Sequence, residues 1–464
     1  MMATALIPEL VVLGAALGLL VGGRVLHARE LALGGAALLA AVIALALELW
    51  LGAAVGTLFG GAWQQDRFAL FAKAALLLAL IVIIASSLSS ASEPEARDTL
   101  PAVFIVALGG MVAASATSLV GLWVGLEVAA LAAVAVAGLG SRETRTQLLV
   151  LSAVGAALFA VGLAVIYAAT GDATLAALRT GLHPTSVSLS LAVAVLLTLT
   201  GIAIRLGLAP FQWLAVEGGL SVSPLAAGAL GGLLVGVAAI VAAKLLGGLG
   251  MVVVAWAPWL AVLSATAMLL GPLRAATAAS ARTVAAWLVV AQVGWVAAGL
   301  AAHDRRGSAA ALLVLGALLL AAGAAPALAR GEAGPELAAL RRTQPLRACG
   351  LALLMLSLAG VPPMAGFVGQ FAVAAELVRS NLTWLLMVGL LGSLLSVVAA
   401  VRVIRLLYLE SGPEQPRAGR AARMPAQTWS PGVLAPAVLV LLYSLLANPI
   451  SGLAMQGAAA LRLP

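Results

Sequence analysis

Apolar residues fall in runs of about 17–25 along almost the whole chain, set apart by short polar or Gly/Pro interruptions. At 1.5 Å per helical residue such a run crosses about 30 Å of hydrocarbon. Backbone groups in lipid must be satisfied within the segment, and the runs lack the alternation of a barrel strand, so each predicts a helix. The first three are Leu6–Val21, Leu31–Leu51 and Phe68–Ile84. Two more share Leu100 to Gly138, with a break expected near Ser115 to Ser118. Then come Leu148–Tyr167, Leu189–Leu208, Leu225–Leu246, Met251–Leu270, Val284–Leu300 and Ala309–Ala325. Leu346–Ala359, extended to about Leu377, Trp384–Leu407 and Val433–Leu446 complete a count of fourteen. The first run leads into more of the same pattern, which predicts a retained span and not a cleaved signal.

Composition removes the soluble alternatives. In 464 residues 63% are hydrophobic and 9% charged, too few to coat a water-soluble domain. With fourteen spans, the loops after odd-numbered helices hold sixteen basic residues, including Arg274, Arg282, Arg341, Arg342, Arg347 and Arg417, against eight on the other side. Positive charge is retained on the cytoplasmic side, so both termini are expected on the non-cytoplasmic side. The net charge of +8 then needs no nucleic acid to explain it. There is no zinc-ligand pattern, dinucleotide fingerprint, phosphate loop or catalytic triad, and the lone Cys349 forms no intrachain disulfide.

Two interruptions stand out. One is Arg205-Leu206-Gly207-Leu208-Ala209-Pro210-Phe211-Gln212-Trp213; the other runs from Leu358 through Gly360, Pro362, Pro363, Gly366 and Gln370 to Phe371. Proline removes a donor and crowds the preceding turn, so each stretch predicts a broken helix. Pro210 and Pro362 are 152 positions apart, each near the end of a comparable group of spans, as in transporters built from two repeats.

Charges inside spans are costly and point to function. Glu127 lies within an apolar run and needs a partner, a cavity or a proton. Arg205, at the edge of the first break, is placed to pair with it across the bundle. Lys244, near a helix end, is expected to snorkel to the interface, Glu48 to be an interfacial acid, and Glu217 to be wet or part of a polar path.

On the residues Gly121 to Glu127, Arg205 to Trp213 and above all Leu358 to Phe371, the chain resembles the antiporter-like membrane subunits of respiratory complex I, and most of all the subunit N branch of NADH-quinone oxidoreductases, as a divergent member. The likeness covers roughly residues 60 to 410. It implies an all-α polytopic membrane fold of about 14 transmembrane helices, with two inverted five-helix repeats and two broken helices. The units would be an N-terminal three-helix segment (1–95), a first repeat (96–248), a second repeat (249–410) and a loop with a C-terminal helix (411–464). It further implies proton movement driven by quinone reduction elsewhere; the residue mix, with arginine well above lysine and alanine and leucine dominant, points to a bacterial plasma (inner) membrane. NADH, FMN, iron–sulfur clusters and quinone would be held by partner subunits and none by this chain. The partners would be neighbouring antiporter-like and small membrane subunits, together with the lipid bilayer.

Carried over residue by residue, the resemblance makes Glu127 the family's modulating glutamate and sets Arg205 where a lysine is usual. Gln212 replaces a histidine, Ala215-Val216 a Pro-Asp, and the lysine of the next helix falls at about Leu234. Gln292 replaces a histidine, and Gln370 the lysine of the second broken helix. These departures all remove groups that gain and lose protons. A buried lysine can deprotonate, an arginine practically cannot, and an amide only hydrogen-bonds water. The expected proton path or its tuning set is therefore Glu127, Arg205, Lys244, Glu217, Gln292 and Gln370, with pumping weakened in this subunit. A subunit of a multisubunit cation/proton antiporter, a membrane hydrogenase subunit and a non-pumping membrane anchor remain as other classes.

Overall fold

The computed structural model describes residues 2–25, 30–52, 55–88, 96–137, 142–182, 187–220, 222–329, 333–410 and 431–461. The described chain is almost entirely helical. Its first half contains α1 (Ile7–Arg24), α2 (Glu30–Leu51), α3 (Arg67–Leu88), α4 (Ala96–Ser115), α5 (Leu119–Ala137), α6 (Arg142–Thr170), the short α7 (Leu175–Gly181) and α8 (Leu189–Leu206). Past the first break lie α9 (Trp213–Leu220), α10 (Pro224–Gly228) and α11 (Val235–Gly248). The second half has α12 (Val253–Thr277), α13 (Ala281–Ala301), α14 (Arg305–Leu328), α15 (Pro335–Thr343), α16 (Pro345–Ala359), α17 (Ala365–Arg379) and α18 (Thr383–Tyr408). Two further helices, α19 (Pro431–Leu445) and α20 (Ala447–Ala460), close the chain.

Among the described residues, twelve helices are long and apolar enough to cross a membrane, or thirteen if α19 and α20, bent by 79°, make one span. The shorter apolar α16 is followed after its break by α17, as the Gly/Pro stretch predicts. The expected interruption between α4 and α5 is also present, at residues 116–118.

The span Pro224–Gly248, α13 and α14 form the middle of the bundle and are almost wholly enclosed, while α1, α2 and α6 turn broad apolar faces outward. Their composition explains this: α14 is mostly Ala, Leu and Gly, residues small or flexible enough for helices to pack closely without a polar face. Within Pro224–Gly248 the turn Ala229–Leu234 widens to π geometry. Such bulges gather at functional sites.

Two features lie outside the predicted runs. A hairpin pairs β1 (Gly56–Leu58) with β2 (Trp63–Gln65), and Trp63 bridges to Ala116 between α4 and α5. The sequence reads this stretch only as a loop, because three-residue strands leave no periodicity to detect. The second is α20, which packs on α3 and α14.

Arginines close many helix ends. Arg179 donates to Gly247 O (3.2 Å) and Leu461 O (3.0 Å), Arg282 to Gly219 O and Val222 O (2.6 Å each), and Arg347 to Leu328 O (2.9 Å). Arg341 donates to Tyr408 O (2.9 Å), and Arg402 to the carbonyls of Ala276 and Ala278. A cation at a helix C-terminus meets carbonyls with no intrahelical donor and the negative end of the dipole. Several arginines counted for topology therefore also serve as caps. Arg305 reaches Met455 O on α20, and the Arg417–Arg423 cluster lies outside the described residues.

Candidate functional site

Both breaks are built the same way. Helix α8 ends at Gly207 (φ 66°), with Leu208 N–H donating to Ala203 O (3.0 Å) and Gly207 N–H to Ile204 O (3.4 Å). Helix α16 ends at Gly360 (φ 72°), with Val361 N–H donating to Leu356 O (3.0 Å) and Gly360 N–H to Ser357 O (3.1 Å). These are paired Schellman closures, which need the left-handed conformation that glycine adopts without penalty. A proline three residues after each glycine, Pro210 and Pro363, stops the helix from resuming at once.

The first break carries charge. Arg205, fully buried in the last turn of α8, donates from Nη2 to Glu127 Oε2 on α5 (2.8 Å) and to Ser152 O on α6 (3.1 Å). A cation there also faces the negative end of α8. The pair is incompletely satisfied: Glu127 Oε1 and Arg205 Nε and Nη1 are buried without a hydrogen-bond partner among the described residues. Buried polar atoms of this kind call for water or exchangeable protons. In the loop just beyond, Gln212 Oε1 is likewise unpartnered.

The second break carries amides instead. Pro362 has no N–H to give Leu358 O, and Gln292 Nε2 on α13 supplies that bond (2.8 Å), with a longer one to Ser357 O (3.3 Å). Across the break Gly366 N–H donates to Ser357 Oγ (3.3 Å), joining the end of α16 to the start of α17. Gln370, also buried, accepts from Ser393 Oγ on α18 (3.2 Å) and lies against Gly360. Replacing Gln292 with Leu would leave Leu358 O unpaired in the core, a cost of about 1–3 kcal/mol. Thermal unfolding in detergent is expected to show that loss, and Gln292→His, which keeps a donor, to recover most of it.

Lys244 departs from expectation. It does not snorkel: it is buried, donates to Ala114 O on α4 (2.6 Å) and sits 5.7 Å from the Phe68 ring. Neighbouring helices, α4 and the start of α3 among them, cover the end of α11, so nearness to a helix terminus does not bring solvent. Its charged neighbours are Asp66, Lys73 and Arg179, not Glu127 or Arg205. Glu48 is also not an interfacial acid: it is fully buried and accepts from Gln65 Nε2 (2.7 Å). Glu217 lies on α9, with its side chain outside the described residues. Leu234, where the resemblance sets a lysine, ends the π-helical turn and is buried.

The structure thus joins Glu127 with Arg205, gathers Gln292 and Gln370 at the second break, and puts Lys244 elsewhere. It also shows a cluster that the sequence reading missed. Lys73 on α3 is fully buried, pairs with Glu9 on α1, donates to Gln65 Oε1 (2.7 Å) and lies 4.6 Å from the Trp63 ring. The available signal was a lysine inside the third apolar run; counting it with the loop charges hid it.

A family model described as "NADH:quinone oxidoreductase/Mrp antiporter, TM" matches residues 116–396. The chain belongs to this family. Both breaks, the Glu127–Arg205 pair, Gln292 and Gln370 fall within the matched region. One relative is NADH-quinone oxidoreductase subunit N 1 of Acidiphilium cryptum, 29% identical over 336 residues that cover 68% of this chain and 70% of the relative. The fold is shared with a chain of the Mrp complex from a Dietzia species (TM-score 0.82, 21% identity, covering 99% of this chain and 98% of that one). It is shared also with a chain of Thermus thermophilus respiratory complex I with bound aureothin (TM-score 0.78, 24% identity, covering 96% of this chain and 98% of that one). The N-terminal cluster of Glu9, Glu48 and Lys73 lies before the family-matched region.

Proposed function

We propose that this chain is a subunit-N-type membrane subunit of a proton-translocating NADH-quinone oxidoreductase, coupling quinone reduction in partner subunits to proton movement through its buried polar axis. The observation that carries the reading is the incompletely satisfied Glu127–Arg205 pair set against a broken helix. An ion pair kept for stability alone would have its donors and acceptors filled. Orphaned oxygens and nitrogens beside interrupted backbone suit water and transient protons. The names of relatives such as the Acidiphilium protein support the assignment to the oxidoreductase.

In this reading Glu127 is the titrating group of the first half, and Arg205 a fixed positive charge that biases it without storing a proton. Gln292 and Gln370 hold the second break open and bind water, so proton passage there relies on water chains. That is the sense in which pumping is weakened. Lys244 lies apart from this pair, against Ala114 O, and Glu217 lies on the short helix past the first break. Counting α16 with α17, and α19 with α20, as single spans gives the fourteen expected. Residues 96–248 and 249–410 then form the two inverted repeats, both termini face away from the cytoplasm, and the membrane is a bacterial plasma membrane. NADH, FMN, iron–sulfur clusters and quinone are assigned to partner subunits.

The likeness to the Mrp chain favours one second reading, a subunit of a cation/proton antiporter. Purification in mild detergent separates the two. Co-purifying flavin- and iron–sulfur-bearing subunits with NADH:quinone turnover are expected. Small antiporter subunits and sodium-dependent proton exchange in sealed vesicles would overturn the proposal.

A further inference from the structure

The end of the bundle that carries the hairpin holds a second set of buried charges, contributed by elements that the polar axis does not use. Lys73 from α3 lies between two carboxylates, Glu9 from α1, which it contacts directly, and Glu48 from α2, which it reaches through Gln65. Gln65 fixes this order, because its Oε1 accepts from Lys73 (2.7 Å) while its Nε2 donates to Glu48 Oε1 (2.7 Å) and Gly52 O (3.2 Å). The amide is thereby fully used and oriented from both sides. Glu48, Gln65 and Lys73 are each 0% exposed and Glu9 is 6% exposed.

The charges in this cluster do not balance. Two carboxylates face a single ammonium, and Oε2 of both Glu9 and Glu48 is buried with no hydrogen-bond donor among the described residues. An uncompensated buried carboxylate is strongly unfavourable. A single proton removes the excess charge and supplies a missing donor at once. Other charged groups near this end, among the described residues, include Asp66, whose carboxylate caps α3 by accepting from Ala69 N–H (2.8 Å), together with Lys244 and Arg179. Asp66 is itself an anion and adds to the excess, Arg179 is tied to two helix ends and Lys244 donates to Ala114 O, so among the described residues none of them pairs with the two carboxylates.

We infer that the N-terminal three-helix unit contains a proton-binding site in which Glu9 and Glu48 together hold one proton against Lys73. The bond formed is O–H on one carboxylate, and release returns that oxygen to the anion. Lys244 approaches the same region from the middle of the bundle, its ammonium on the Phe68 ring one turn before Lys73. The site therefore stands at the end of a second row of titratable groups, separate from Glu127. Its use in transport rests on the proton-moving reading given above; its existence does not.

Infrared spectroscopy of the protein purified with its native partners, in H2O and D2O at neutral pH, tests it. The expected result is a protonated-carboxyl C=O band that is lost in Glu48→Gln and in Glu9→Gln, because the remaining carboxylate then pairs with Lys73. Lys73→Met, which removes the cation, should roughly double the band. Glu48→Gln keeps size and the acceptor for Gln65, so folding is preserved. A wild type without the band, a band unchanged by both glutamine variants, or a band that appears only after sodium or potassium is removed would each overturn the inference. Proton pumping measured on the same preparations separates the two claims. Loss of pumping in Glu127→Gln with no carboxyl band in the wild type leaves the function reading standing and this site rejected. The band behaving as described, with pumping unchanged in Glu127→Gln, leaves the site standing and the function reading rejected.

Discussion

Glu127→Ala is expected to destabilise the protein by about 3–5 kcal/mol, the cost of stranding one partner of a buried ion pair. Arg205 is fully buried, and besides Glu127 its one acceptor among the described residues is the Ser152 carbonyl. Insertion scales place an unpaired arginine at mid-membrane about 2.5–3.5 kcal/mol uphill, which agrees in size. The double variant Glu127→Leu with Arg205→Met removes both charges and should recover most of the loss, since apolar side chains often replace buried ion pairs at little cost. Thermal unfolding in detergent checks all three proteins. A single variant as stable as the wild type would mean that the guanidinium reaches water or another anion.

The second large effect concerns Gly366. A Cβ built there falls 1.9 Å from Ser357 O and 3.0 Å from Gln292 Nε2. The first is a backbone atom at the end of α16 that cannot swing aside, so Gly366→Ala must push α17 away from α16 and disrupt the Gly366 N–H to Ser357 Oγ hydrogen bond that bridges them. Overpacking of this kind costs about 1–3 kcal/mol, and the backbone contact puts this case at the upper end. Gly14→Ala is the control: nothing lies within 4 Å of its Cβ position in α1, so the change should be neutral or stabilising. Yield of folded protein after extraction, with unfolding midpoints for both, gives the comparison.

The breaks at Gly207 and Gly360 were legible in the sequence because their cause is local. A glycine that accepts positive φ, with proline three residues on, ends a helix whatever surrounds it. The Glu127–Arg205 pair was legible for a different reason: two opposite charges inside apolar runs have few places to go except toward each other. The cluster of Glu9, Glu48 and Lys73 was not legible. Each carboxylate stands near the end of its run, where a charge ordinarily meets water, and the residue that joins them, Gln65, lies in a hairpin too short to leave a pattern. Lys244 was misplaced on the same ground. Distance along a helix predicts exposure only when nothing packs over the helix end, and here α4 and the start of α3 do so. The π turn at Ala229–Leu234 has no side-chain signature at all, since Ala, Leu and Gly fit α and π geometry alike.

Proton counting in the assembled complex bears most directly on the central claim, that buried ionisable groups beside interrupted helices move ions. In sealed vesicles, NADH-driven quinone reduction by the complex carrying Glu127→Gln is compared with the wild type for protons moved per electron pair. The glutamine keeps an acceptor for Arg205 but cannot hold a proton. The account predicts intact assembly with a reduced ratio. An unchanged ratio in a fully assembled complex would contradict it and leave the chain a membrane scaffold.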